Sequence, residues 1–231
     1  PLNDPYQDRY DYDHELVLAA DGSLQGKMTR RLYGDIEAGL RGSYKGRSPE
    51  DRLRALRGLV ATWGEGAKLV SSDFPNLQDI SKPFSIALEF SLEKYPERAG
   101  NLVIMGFPGV EDYLSKFPEI GLVERKYDLQ LNGRDCVIKH YRLKVPAEYQ
   151  VKYLPAPLIL ANPWFTFNGR YEFRGGELFL NLDFRRLALK VTAQEYSRFR
   201  EHLLMVEKFV EEKFFFEAGE KAGEKAGEVK P

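Results

Sequence analysis

WFTFNGRYEFRGGELFLNLDFRRLALKV, residues 164 to 191, decides the fold class. Apolar and polar residues alternate on both sides of Gly175-Gly176, the period of a strand with one buried face. A Gly-Gly loop suits a two-residue hairpin, because both central residues must take positive φ. Counting outward from that loop sets Phe173 opposite Leu178 and Tyr171 opposite Leu180, with Leu182 and Phe184 continuing the apolar row. The stretch predicts an antiparallel pair covered on one side.

The same period recurs upstream. PFSIALEFSLEKY places Phe84, Ile86, Leu88, Phe90 and Leu92 on one face, and AKLVSS and NLVIMGF are further strands. HELVLAADGSLQGKMTRRLYG reads as a hairpin about Asp21-Gly22. LVERKYDLQLNGRDCVIKHYRLKVP reads as two strands joined at Asn132-Gly133, and PGVEDYLSKFP as an irregular or helical link.

Two segments switch to the helical period. In RSPEDRLRALRGLVATWGEG, Ser48 is the N-cap, Pro49 takes the first helical position, and Leu53, Leu56, Val60 and Trp63 share a face. TAQEYSRFREHLLMVEKFVEEKFFFE opens with a Thr192/Glu195 capping box and a Val191–Tyr196 staple, and carries a stripe of Tyr196, Phe199, Leu203, Val206 and Val210. The expected fold is therefore α+β, mainly antiparallel β, sandwich-like, with two amphipathic helices packed on the sheets. Residues 1–12 read as an extended arm or linker. Residues 13–106 form an N-terminal β-rich lobe with one helix, and 107–217 a C-terminal β-rich lobe ending in a helix. One continuous sandwich is the alternative to two lobes. The EKAG repeats of 218–231 read as a solvated, disordered tail, since glycine every four residues costs a helix about 1 kcal/mol each.

Composition narrows the function. The chain has 231 residues, enough for one large domain or two small ones, with 43% hydrophobic and 30% charged residues. Fifteen Phe and 13 Tyr favour strands. A net charge of −1 argues against a nucleic-acid partner, and no apolar run reaches the roughly 20 residues of a membrane helix. The chain starts at Pro1 rather than Met, and is expected to be a piece or processed product of a longer protein.

DCVIKH, residues 135–140, holds the single cysteine and places a histidine four residues on. A thiol nucleophile needs its base within hydrogen-bond reach. On one strand, Cys136 and His140 share a face about 13 Å apart, at roughly 3.3 Å per residue, so they form no dyad. His14, His140 and His202 are scattered and show no metal-ligand spacing. Asp4, Asp8, Asp11 and Asp13 lack the glycine and spacing of a calcium loop. Lys27, Arg30, Arg31, Arg41, Lys45 and Arg47 form the densest basic stretch, which reads as a solvated strand face. No GxSxG, HExxH or phosphate-binding glycine loop occurs. The sequence thus presents no catalytic, cofactor-binding or metal-ligating set, and no cofactor is expected.

HELVLAADGSLQGKMTRRLYGDIEAGLR, YRLKVPAEYQVKYLPAP and GRYEFRGGELFLNLDFRRLALKVTAQEYSRFREHL are spread over residues 13–205. In their order they resemble the C-terminal β-rich region, a domain of unknown function, of bacterial transglutaminase-like proteins of the papain-like superfamily. The resemblance implies a non-catalytic accessory module that supports or regulates an upstream Cys-His-Asp domain or binds an envelope partner. It also implies a bacterial cell-envelope, periplasmic location, and a parent protein that is transglutaminase-like or a related cysteine peptidase. Cys136 and His140 match no member of that family's triad. The alternatives are a free-standing β-sandwich module that binds protein or carbohydrate, and a hydrolase using a carboxylate pair or Cys136.

Overall fold

The computed structural model describes residues 8–115 and 117–219. The hairpin predicted around Gly175-Gly176 forms near one edge of the larger sheet. Strands β11 (Phe165–Arg174) and β12 (Glu177–Arg186) pair with Phe173 opposite Leu178 and Tyr171 opposite Leu180. Gly175 and Gly176 take φ of 60° and 78°, as the tight turn requires. At Gly169 of β11 an added Cβ would lie 2.4 Å from the Phe209 ring, so the missing side chain lets a helix approach the sheet.

Six more strands complete this sheet: β1 (Asp8–Leu18), β2 (Leu24–Tyr33), β3 (Lys68–Asp73), β4 (Phe84–Leu92), β8 (Asp135–Lys144) and β10 (Leu158–Ala161). The order is β10-β11-β12-β8-β1-β2-β4-β3. Every pair is antiparallel except β1 with β8, which makes the sheet mixed. The β1–β2 hairpin turns at Gly22, with φ of 88°, and Asp21 accepts the Ser23 amide at 2.8 Å.

One face of this sheet is buried. It is covered by α1 (Asp35–Lys45), α2 (Pro49–Ala61), α3 (Tyr196–Glu211) and a four-stranded sheet. That second sheet has the order β5-β6-β14-β9, from β5 (Glu97–Ala99), β6 (Leu102–Met105), β14 (Phe214–Ala218) and β9 (Tyr149–Tyr153). Aromatic rings join the layers: Trp63 on Phe90 at 4.8 Å, Phe107 on Tyr141 at 4.7 Å and Phe167 on Phe209 at 5.5 Å. The α+β, sandwich-like expectation describes this arrangement, with a third helix added.

Five local expectations are corrected. Residues 8–12, read as part of an arm, begin a strand paired on both sides; residues 1–7 lie outside the described residues. The segment 35–45 is helical although it carries two glycines, because Tyr44 and Arg41 bury one face of it. The basic stretch 27–47 is therefore not a single strand face. Asn132-Gly133 does not join a hairpin. Gly133 is not among the positive-φ glycines, and β7 (Leu129–Gln130) pairs with β13 (Lys190–Val191), while β8 finds β12 and β1. The final helix stops at Glu211, and Phe214, Phe216 and Ala218 face inward from a strand. A run of three phenylalanines fits either period, and burial between two strands settles it. Of the tail 218–231, Ala218 ends β14 and residues 220–231 lie outside the described residues.

The division expected at 106/107 separates strands that share the eight-stranded sheet. The Ser48 cap forms, accepting the Asp51 amide at 3.1 Å. Thr192 and Glu195 exchange their capping-box bonds at 3.3 Å each, one turn before the regular part of α3.

Candidate functional site

The residues singled out by sequence are not gathered in one place. Cys136 and His140 both lie on β8, four residues apart, and their surroundings differ. Cys136 is 1% exposed, with Arg9 and Arg185 as its neighbours across the flanking strands. Burial pushes its thiol up to about 11, helped by the nearby Asp183 carboxylate, so at neutral pH it stays protonated. His140 is exposed, and its Nδ1 lies 2.7 Å from Asn181 Oδ1. His202 lies 3.3 Å from Asn162 Nδ2. Asp8 accepts the Ile36 amide, Asp11 pairs with Arg9 and Asp13 with Arg31; Asp4 lies outside the described residues. Arg41 is buried and binds Glu37 and the carbonyls of Asn76, Asp79 and Lys82, a clamp on the loop before β4. Lys45 sits at the C-terminal end of α1, where its charge suits the dipole, and Arg47 stacks over Tyr44.

A second buried charge carries no motif in the sequence. Lys139 occupies a position of β8 between Val137 and Tyr141, in the apolar register of the strand. It is 1% exposed. Its ammonium donates to the carbonyls of Gly109 (2.8 Å), Val110 (3.1 Å) and Asp112 (2.6 Å). All three protons are used, and the ammonium also lies 5.2 Å from the Tyr12 ring. Burial lowers its pKa to about 7; Asp112 opposes the shift and Arg30 adds to it. The loop it holds passes through Gly109 at φ 67° and Tyr113 at φ 66°. A Cβ at Gly109 would come within 2.7 Å of Trp63 Nε1, which donates to Asp112 Oδ2 at 3.1 Å. The signal in sequence was a lysine standing where alternation demands an apolar residue.

Around Lys139 the buried face stays polar. His14 of β1 is 3% exposed and stacks on Tyr141 at 4.1 Å, and burial holds its imidazole well below the usual range, hence neutral. Tyr12 and Tyr141 keep their phenols protonated through burial. A cleft of about 500 Å3 opens beside this cluster between the 106–115 loop, Trp63, Tyr95 and the end of α3. The opposite, wetted face of the sheet carries a shallower depression of about 710 Å3 lined by Glu15, Lys27, Glu89, Arg142 and Glu177. Its charges are of both signs and partly paired, as in Arg142–Glu177. Among the described residues no helix is long and apolar enough to cross a membrane.

Chemically, the buried cluster supplies an amine near neutrality, but every proton of its charged form is committed to main chain. The thiol is buried, protonated and without a base. No family model and no curated protein matches the chain. A solved structure of a "putative protease" from Parabacteroides distasonis superposes with a TM-score of 0.45 at 12% identity. The likeness covers 55% of this chain, which spans 28% of the length of that one.

Proposed function

We propose that this chain is a non-catalytic accessory module of a transglutaminase-like protein of the bacterial cell envelope. In this reading it supports or regulates an upstream Cys-His-Asp domain or binds an envelope partner. The observation that carries the reading is how the interior polar groups are used. Lys139 holds the 109–112 loop with all its protons, and Cys136 is buried with its thiol held at about 11. Both groups stabilise architecture rather than face a cleft. The three stretches that carry the family resemblance supply β2, β9 and β12 and parts of β1, α1, β8, β11 and α3.

The test joins sequence and activity. The DNA upstream of Pro1 is expected to encode a Cys, His and Asp core in the same reading frame; an initiator Met immediately before Pro1 overturns the accessory reading. Cys136→Ser in the longer protein is expected to leave its amidase or transamidation rate unchanged. Loss of that rate with the fold intact would return Cys136 to the catalytic set.

A binding module for protein is the second reading. It is favoured by Val123 and Tyr127, 72% and 74% exposed in the segment before β7.

A further inference from the structure

Arg30 of β2 points to the buried side of the sheet, directly across from Tyr12 of β1. Its guanidinium lies 5.7 Å from the Tyr12 ring, 5.7 Å from Tyr113 and 5.8 Å from Tyr10. Its hydrogen bond is a single long one, from Nη2 to the Tyr113 hydroxyl at 3.3 Å. Its Nε is buried and has no partner.

The other part-buried arginines among the described residues each have a carboxylate or a main-chain carbonyl as partner, although Arg9 and Arg125 also keep a buried Nε without a hydrogen bond. Arg9, Arg31, Arg185 and Arg186 pair with carboxylates. Arg52, Arg125 and Arg200 donate to main-chain carbonyls. Two arginines show what the Nε–Nη2 edge does when a carboxylate is present. Arg185 grips Asp183 through both atoms at 2.7 Å each, and Arg142 grips Glu177 through Nε at 3.0 Å and Nη2 at 2.9 Å. The same edge of Arg30 has nothing on Nε and a neutral phenol on Nη2.

A second group beside it is met only by the same cover. Tyr12 is 5% exposed, and its hydroxyl faces the phenol of Tyr113 outside normal hydrogen-bond geometry rather than a charged or main-chain group. Neighbouring carboxylates are committed elsewhere: Asp112 to Trp63, Asp135 to Arg186, and Asp13 to Arg31. Tyr113 closes the place from outside. It is 51% exposed, and at φ 66° a bulky side chain sits on a strained backbone. A buried cationic edge, a buried hydroxyl and a strained aromatic cover thus meet at one point.

We propose that Arg30 and the Tyr12 hydroxyl form a receptor for a single carboxylate group, and that Tyr113 is its gate. The planar guanidinium edge suits a carboxylate, which accepts two parallel N–H bonds, and the phenol of Tyr12 donates a third. When the ligand enters, its oxygen replaces the Tyr113 hydroxyl on Nη2, and Tyr113 leaves its strained conformation. The site is independent of any catalytic role and of the accessory reading above.

The experiment is a titration of the isotope-labelled protein with sodium acetate at constant ionic strength, following the arginine Nε–H resonances by NMR. A saturable shift of Arg30 Nε–H is expected, with Kd on the order of millimolar. N-acetylalanine, which mimics a peptide C-terminus, separates two sources of the group. Saturation by both points to a chain end, and saturation by acetate alone to a small acid. Tyr113→Gly, which removes the gate and the strain, is expected to tighten acetate binding about three-fold or more. Arg30→Gln is expected to abolish it with the methyl spectrum of the core unchanged. The proposal falls if the Arg30 shift follows chloride as well as acetate, or if inorganic phosphate binds more tightly than acetate. It falls equally if Tyr113→Gly, with the methyl spectrum of the core unchanged, leaves acetate affinity unchanged.

Discussion

The two faces of β8 use the same backbone for opposite purposes. On one face stand Val137, Lys139, Tyr141 and Leu143, all buried against the second layer. On the other, Ile138 is half-buried and His140 and Arg142 are exposed, with Cys136 buried at the near end beside Arg9 and Arg185. The residues that look reactive in sequence, a thiol and an imidazole, share the second face and do no work together. The lysine that breaks the alternation is, among the described residues, the most deeply buried charged side chain. Reactivity follows the environment a strand position is given rather than the residue type alone.

The largest test of that contrast is Lys139→Met. It keeps the bulk of the side chain and strands three carbonyls, so unfolding in urea is expected to show a loss of about 2–4 kcal/mol. Retention of full stability would mean that the 109–112 loop is held by something else.

A smaller effect is carried by pH. The Lys139 amine titrates near 7 when folded and at about 10.5 when unfolded. Between those values the unfolded chain binds the extra proton, so stability is expected to rise with pH. The limiting slope is about 1.4 kcal/mol per pH unit. Below 7 both states are charged and the contribution is flat. Near pH 9 and above, the slope reverses, because the buried Cys136 thiol and the phenols of Tyr12 and Tyr141 keep protons that the unfolded chain releases. Urea midpoints from pH 7 to 9 measure the rise, and the Lys139→Met protein is expected to lack it.

His140→Ala gives the smallest change. The imidazole is exposed and loses one contact to Asn181, so the midpoint is expected to stay within about 0.5 kcal/mol of the parent. A drop comparable to that of Lys139→Met would break the contrast between the faces.

Much of the fold is written locally. Gly175-Gly176 sets the register of β11 and β12 because two adjacent residues at positive φ leave one hairpin geometry open. Alternation from Phe84 to Leu92 marks a one-sided strand, and Ser48-Pro49 starts a helix, because each depends on neighbours a few residues away. Asn132-Gly133 carries an equally favourable turn signal and makes no hairpin. The strand after it gains more by pairing with residues 8–17 and 177–185, and a contact that distant leaves no mark on local pattern.

The candidate site divides the same way. That Cys136 and His140 are too far apart to cooperate follows from the rise of a strand, and sequence alone determines it. That Lys139 is buried was legible only as a break in alternation. What receives its protons, and what leaves Arg30 without a carboxylate, was not legible at all. Those partners arrive from the 106–115 loop, about 30 residues before β8 and about 80 after β2. Sequence determined most of the long strands, two of the helices and which face of each is apolar, because local propensity and period decide that; the helix at 35–45 and the strand at 214–218 were decided by burial. Tertiary structure decided which charged groups the second layer would cover, because burial is a property of the completed sandwich and not of any single strand.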